Sequence, residues 1–430
     1  MTSEKSPRVR RFGGLYLDLS PLKVSAAFRS LLFGQVVSLI GTQMRYVALA
    51  WQVFSITGSS AAVGLLGLAE VVPMLLLSVH AGALADARNR KTIMAWSQSA
   101  AMLISVLLFL LALSDDPSLW MIYALTALGA SADTLDRPAR TAIIPSLVGT
   151  ENIPAAMALR QLTFQLSNVA GPAFGGLAIA SFSIAAVYAI DAATFVASLA
   201  SLWAVPRMLP AAEKRSARGL VREGLKASIG RPLIRSVFMV DLVAMVFGMP
   251  RAVFPALAES LGIGARGAGL LYAAPSVGAL FGALFSGWVD RIRRYGRAIF
   301  FVVAIWGGAI TFAGIFAFSL PLFLLFLAFA GAADVLSAVF RGTLVQEATP
   351  DHLRGRVTAV NMLVFAGGPR AGDVEAGLVA AAIGARGSIV AGGVLCLAGL
   401  GILALFETEL RDYVRPRTRT TAREEGGDDA

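Results

Sequence analysis

Long apolar runs, broken at short intervals by glycine, proline and charged residues, fill the chain from about residue 29 to residue 407. Twelve of them are long enough to cross a bilayer as helices, at about 20 mostly apolar residues each. They lie at 29–54, 61–85, 93–113, 118–138, 155–180, 183–205, 234–256, 267–289, 298–317, 320–340, 357–382 and 387–407. The pattern predicts an all-α integral membrane protein with twelve transmembrane helices. Several connectors, such as 57–60, 115–117 and 181–183, span only a few residues. Links that short force successive helices to run antiparallel.

Composition agrees with a bilayer as the solvent. The chain has 430 residues, of which 57% are hydrophobic and 15% charged, with a mean hydropathy of +0.71. A soluble domain carries about a quarter charged residues, and soluble cores stop growing beyond about 250–300 residues. The net charge is +10, but the basic residues stand in short segments between apolar runs. They read as topogenic charges that hold loops on the cytoplasmic side rather than as a nucleic-acid surface. One set of connectors holds chiefly Arg266 and Arg386. The opposite set holds Arg8, Arg10, Arg11 and Lys23; Arg88, Arg90 and Lys91; Arg291, Arg293, Arg294 and Arg297; Arg354 and Arg356; and Arg411, Arg415, Arg417 and Arg419. Both termini are therefore expected in the cytoplasm. The organisation that follows is a cytoplasmic segment (1–28), a six-helix half (29–205), a basic linker (206–233), a second six-helix half (234–408) and a charged tail (409–430). The linker, as a basic amphipathic stretch, would lie on the inner leaflet.

One cysteine, Cys396, and two histidines, His80 and His352, leave no disulfide framework and no cysteine- or histidine-built metal site. There is no His-Glu-x-x-His motif and no glycine-rich phosphate loop followed by Lys-Ser or Lys-Thr. No metal, no cofactor and no ATP drive are expected. No removable signal segment is legible at the start of the chain.

The two halves echo each other three times. The second run ends Gly82-Ala-Leu-Ala-Asp86-Ala-Arg88-Asn-Arg90-Lys91, and the eighth ends Gly287-Trp-Val-Asp290-Arg291, one residue shorter between Gly and Asp. The fourth run has Gly129, Asp133 and Arg140, and the tenth has Gly331, Asp334 and Arg341, with Asp and Arg seven apart in each. The fifth run has Gly171-Pro172-Ala-Phe-Gly175-Gly176, and the eleventh has Gly368-Pro369-Arg370-Ala-Gly372-Asp373. Three repeats in one order, six helices apart, imply duplicated, pseudo-symmetric halves, an architecture of alternating-access carriers.

Gly82-x-x-x-Asp86-x-x-x-Arg90-Lys91 resembles the cytoplasmic signature of the major facilitator superfamily, and Gly171-Pro172-x-x-Gly175-Gly176 resembles its antiporter motif, associated with exporters. The chain departs from that motif at Ser167, where glycine often stands. Ser38-Leu-Ile-Gly41-Thr42-Gln43-Met44, Thr57-Gly58-Ser59, Asp136-Arg137-Pro138-Ala139-Arg140 and Ile144-Pro145-Ser146-Leu147-Val148 are similar to the subgroup of siderophore (enterobactin) exporters and macrolide-efflux carriers. The resemblance covers about residues 26–408. It implies the major facilitator fold, a multi-pass place in the cytoplasmic membrane of a bacterium, and proton-coupled export of a small organic solute. The partners expected are that solute, protons and the lipid bilayer; the sequence leaves the oligomeric state open, with a monomer sufficient.

Read as physics, Gly82 lets another helix come close, and Asp86 can pair with Arg90 or accept from an opposing helix N-terminus. Gly82, Asp86, Arg90 and Lys91, with Gly287, Asp290 and Arg291, are thus candidates for a cytoplasmic gate; a solvated turn that merely sets topology fits the same spacing. Gly171, Pro172, Gly175 and Gly176 would let two helices pack backbone to backbone around a proline bend. Charges inside the runs are the other candidates, since each costs about 2.5–3.5 kcal/mol unpaired at a helix centre on insertion scales. Arg370 and Asp373, three apart, are expected to pair along their own helix, leaving Glu375 freer. Glu70 and Asp241 have no basic neighbour on their own helices and, with Asp133, Asp334, Asp373 and Glu375, are candidates for proton coupling or the solute path. The functional expectation is a secondary exporter. Broad drug efflux is the alternative, and a membrane-embedded enzyme or a pore fits the sequence less well.

Overall fold

The computed structural model describes residues 18–206 and 225–415. Residues 1–17, 207–224 and 416–430, with most of the expected leading segment, basic linker and tail, lie outside the described residues. Among the described residues all regular structure is helical. The long helices are α1 (Ala26–Thr57), α2 (Ser60–Ala87), α3 (Arg90–Ala112), α4 (Leu119–Val148), α5 (Ile153–Ser181), α6 (Ile184–Ser201), α7 (Pro232–Phe247), α8 (Gly264–Leu284), α9 (Tyr295–Ile315) and α10 (Leu320–Ala348). A final stretch, Asp351–Phe406, is broken at Gly384, whose φ of 79° and ψ of 164° leave the helical region, giving α11 (351–383) and α12 (385–406).

Local chemistry sets the boundaries. Ser25, Ser59, Asn89 and Ser183 each stand just before a helix and accept a hydrogen bond from a first-turn backbone N–H, which satisfies a donor with no partner inside the helix. Gly58, at φ 62°, ends α1 in the left-handed conformation that glycine tolerates best. Among the described residues eight stretches are long and apolar enough to cross a membrane, the last of them, Leu353–Phe406, holding both α11 and α12. Helices α1, α4 and α5 fall outside that set because polar and charged residues interrupt them: Gln43 and Arg45, Asp133 to Arg140, and Arg160 to Gln165. Large apolar side chains lie on the outside, Trp120 at 81% and Trp203 at 87% exposure among them. That surface suits acyl chains and would be untenable in water.

Several elements differ from the sequence expectation. Helices α4 and α10 run on past residues 138 and 340, to Val148 and Ala348, as amphipathic extensions that bury Arg140 and Arg341; Pro138 and Pro145 sit inside α4 without ending it. Helix α7 stops at Phe247, and its apolar run resumes in the tight turn Arg251–Val253 and the helix Phe254–Ser260. Pro250 cannot donate to the ladder, and the Trp306 indole N–H donates to the Gly248 carbonyl at the break, at 3.1 Å. Finally, α8 ends at Leu284, so the second copy of the gate motif lies on the 3₁₀ turn Ser286–Arg291.

Within residues 26–206 the helices pack side by side in the order α2, α4, α3, α6, α1, α5; within 232–406 the order is α8, α10, α9, α12, α7, α11. Adding six to each number of the first order gives the second. The largest cluster of buried apolar residues belongs to the second group, around Phe254, Trp306, Phe323 and Phe340. A cluster around Val47, Ala48, Leu108 and Tyr188 belongs to the first and reaches Ala252 and Ala265 of the second. The groups meet along two seams, α2 on α11 and α5 on α8. The bundle has one end where the arginine-rich connectors lie and one where they are scarce, called here the basic and the neutral end.

Candidate functional site: the seams between the halves

Glycines make both seams. A Cβ on Gly64 would stand 2.5 Å from the Asp373 carbonyl oxygen, one on Gly67 2.5 Å from that of Arg370, and one on Gly377 2.5 Å from that of Ser60. Across the other seam, a Cβ on Gly176 would stand 2.5 Å from the Ala265 carbonyl oxygen, and one on Gly269 2.5 Å from that of Pro172. Helices can approach so closely only where side chains are missing. Of the antiporter-like motif, Pro172 and Gly176 face the opposite half, whereas Gly171 and Gly175 pack on Gln43 and Met44 of α1 in their own half. These contacts all lie toward the neutral end. At the basic end, Gly82 and Gly287 have nothing within 4 Å of where a Cβ would be among the described residues. Among those residues, none makes the close approach expected at Gly82. Arg90 donates to the Ala142 carbonyl at 2.8 Å and Lys91 to that of Val205 at 2.6 Å, both within the first half. Arg291 is exposed. The side chains of Asp86 and Asp290 lie outside the described residues.

Span eleven corrects the expected pairing. Arg370 and Asp373 do not pair with each other. Arg370 Nε meets Glu70 Oε2 of α2 at 2.8 Å, across the seam. Asp373 Oδ2 accepts from Arg251 Nη2 at 2.7 Å, and the Arg251 carbonyl accepts from the Tyr272 hydroxyl at 2.9 Å. Three residues apart on a helix is close enough to pair, but each side chain finds a more confining partner on a neighbouring element. Glu70 therefore has a partner 300 residues away. Glu375, one turn before Leu378, is half-buried.

Asp241 also has a basic partner. It forms an ion pair with Arg341 of α10, whose Nη2 lies 3.8 Å from Asp334 Oδ1. The two carboxylates and one guanidinium place a coupled acidic site in the second half. In the first half, Asp133 lines a cavity of about 10 Å³ with Arg45, Tyr46, Glu70 and Thr126, enough for about one water molecule. Behind it lies a pair whose acidic member, Asp191, sequence reasoning missed: Arg45 Nη1 pairs with Asp191 Oδ2 at 3.0 Å, and Ser105 donates to the same oxygen at 2.6 Å. Asp191 is 0% exposed and Arg45 3%. The signal was available, because an arginine inside the first apolar run requires a carboxylate, and Asp191 is the one acidic residue in the sixth.

A helical bundle in two groups, joined by glycine seams at one end and by an ion pair between groups, with charges held inside the bundle, is the build of a multi-pass membrane transporter. Residues 17–421 match the family described as "Transmembrane secretion effector". The enterobactin exporter EntS of Salmonella typhi is 30% identical over 348 residues, 80% of this chain and 83% of that protein. EntS of Escherichia coli O6:K15:H31 is 30% identical over 349 residues, with the same coverage of both chains. In fold the chain is similar to the nucleoside transporter NupG, with a TM-score of 0.69 at 14% identity over 90% of this chain and 100% of that one. A bacterial homologue of the human lysosomal transporter Spinster also gives 0.69 at 14% identity, over 93% and 100%. The chain belongs to the transmembrane secretion effector family of major facilitator transporters. It is a transporter and not an enzyme.

Proposed function

We propose that this chain is a proton-coupled exporter of a small organic solute, with twelve spans in two pseudo-symmetric six-helix halves and the basic end in the cytoplasm. The matching helix orders of the two groups and the three sequence repeats support the duplicated halves. The observation that carries the reading is the pair of seams closed at the neutral end, one of them joined by Arg370 and Glu70. Closure there, with nothing among the described residues covering Gly82 and Gly287 at the other end, fits a carrier whose exit is shut while its cytoplasmic side receives solute. Transport requires the seams to part and the opposite end to close around the same path. One chain contains both halves of that path, so a monomer is enough. The similarity to enterobactin exporters favours a siderophore-like or other amphipathic organic compound as the solute.

Proton coupling has a physical handle in Glu70. Protonation would remove the charge that holds Arg370 and so weaken the seam; a neutral Gln has the same effect permanently. Glu70→Gln is expected to abolish efflux driven by a pH gradient in vesicles, while exchange of labelled for unlabelled solute persists. Normal gradient-driven efflux by the variant would remove Glu70 from the mechanism.

The solute class is tested by deleting the gene and profiling small metabolites in cells and medium under iron limitation. A catecholate or hydroxamate retained inside and lost outside is the expected result. An unchanged profile with raised drug sensitivity would replace the siderophore reading with broad drug efflux.

A further inference from the structure

Three arginines gather where α4 and α5 approach the basic end, and one carboxylate pairs with one of them. Arg140 is 5% exposed. Its Nε pairs with Asp136 Oδ2 at 2.7 Å and its Nη2 reaches Asp136 Oδ1 at 3.3 Å. Its Nη1 is buried with no hydrogen-bond partner among the described residues. Arg160 of α5 donates from Nη1 to Thr141 Oγ1 at 2.8 Å, and that hydroxyl donates to the Arg137 carbonyl at 2.9 Å, one turn back on α4. Arg137 is exposed. Among the described residues no carboxylate lies within ion-pair distance of Arg137 or Arg160. Asp133, one turn from Arg137, lines the small cavity beside Glu70 instead. Gln98 reaches Asp136 from α3, at 3.5 Å. The local balance is three guanidinium groups against two carboxylates, the paired Asp136 and, one turn from Arg137, Asp133.

The face that bears them is the one turned to the other half. Ala130 and Asp133 border the cavity shared with Glu70 of α2, and Thr141 meets Arg160 of α5; Arg137 lies between them on the same stripe of α4. Helices α2 and α5 carry the two seams with the opposite half, α1 touching it less extensively, and this stripe of α4 faces both seam helices, beside the space between the halves. Arg137 lies about 16 Å from the basic end of α4 and Arg160 about 10 Å from that of α5, at 1.5 Å per residue. Their guanidinium forks offer planar, charge-assisted donors suited to a carboxylate or another planar oxyanion.

We infer that Arg137, Arg140 and Arg160 form a binding site for an anionic group of the solute, met as it enters from the basic end. The inference rests on the export reading for its physiological sense, but its test does not. The probe is dansylglycine, a fluorescent carboxylate, with dansylglycinamide as the neutral isostere, titrated into purified protein in detergent. Dansylglycine is expected to bind about 10-fold or more tightly than the amide, the scale of one charge-assisted bond. Arg137→Gln and Arg160→Gln should each erase that preference, and Arg137→Lys, which keeps the charge, should retain most of it. All variants are compared as monodisperse protein, and the exposed position of Arg137 makes its replacement compatible with folding. Equal binding of the two probes, or a charge preference that survives both glutamine variants, overturns the site. A charge preference lost in the glutamine variants, in a protein that moves no solute in vesicles, upholds the site and removes the export reading.

Discussion

Gly176→Leu is expected to lower transport in vesicles by at least ~10-fold while the protein still reaches the membrane in normal amount. A Cβ at that position would already stand 2.5 Å from the Ala265 carbonyl oxygen and 2.8 Å from Gly269 Cα. Backbone on both sides of the seam leaves no flexible side-chain end to move aside, so the helices must part. Overpacking of this kind costs about 1–3 kcal/mol, and a cost borne only by the state with a closed seam shifts the equilibrium between states by about 5- to 150-fold. Gly401→Leu is the control, because Gly401 is exposed on α12 with nothing within 4 Å, and it should transport normally. Similar rates for the two leucine variants would show that the α5–α8 seam does not govern transport.

Asp191→Asn is expected to destabilise the first half by about 3–5 kcal/mol, the usual consequence of stranding one member of a buried ion pair. Arg45, at 3% exposure, cannot turn its charge to bulk water. Ser105, its other partner at 3.0 Å, can accept a hydrogen bond but cannot neutralise that charge. The pair Arg45→Met and Asp191→Leu, made together, should recover most of the loss, since two apolar groups of similar size need no partners. The measurement is thermal unfolding in detergent for the two single variants and the double one. Additive losses in the double variant would mean that the two residues do not act as a unit.

The helices were legible because a bilayer-spanning helix needs an uninterrupted apolar run, and the runs here are long and cleanly separated. Lengths failed where that rule stops applying. Beyond residue 138 of α4 and residue 340 of α10 the helix continues as an amphipathic extension, and Pro138 and Arg140 read in sequence as an end. The break in α7 could be placed at Gly248 and Pro250 only once Trp306 was seen to occupy the freed carbonyl. The candidate charges were legible one by one, since each is conspicuous in an apolar run. Their partners were not. Glu70 and Arg370 are 300 residues apart, and Arg45 and Asp191 are 146 apart; helix-local spacing offered Arg370 and Asp373 a pairing that tertiary packing overrides. The gate motif at Gly82 was conspicuous in sequence, yet among the described residues nothing covers Gly82, which lies at the end of the bundle away from the glycine contacts between the groups.

The two seams have matching helices but unlike chemistry. By the spacing of the sequence repeats, Arg370 of α11 falls where α5 has Ala173, and Glu70 of α2 falls where α8 has Ala274 or Pro275. The α5–α8 seam is therefore uncharged at the positions where the α2–α11 seam carries its ion pair. In the proposed export cycle, the apolar seam would serve as a hinge, indifferent to pH and solute, and the charged one as a latch that a proton or an anion releases. On that reading the two joints of a duplicated bundle have diverged, one to bend and one to be switched, which would give the rocking of the halves a preferred axis and a single point of control.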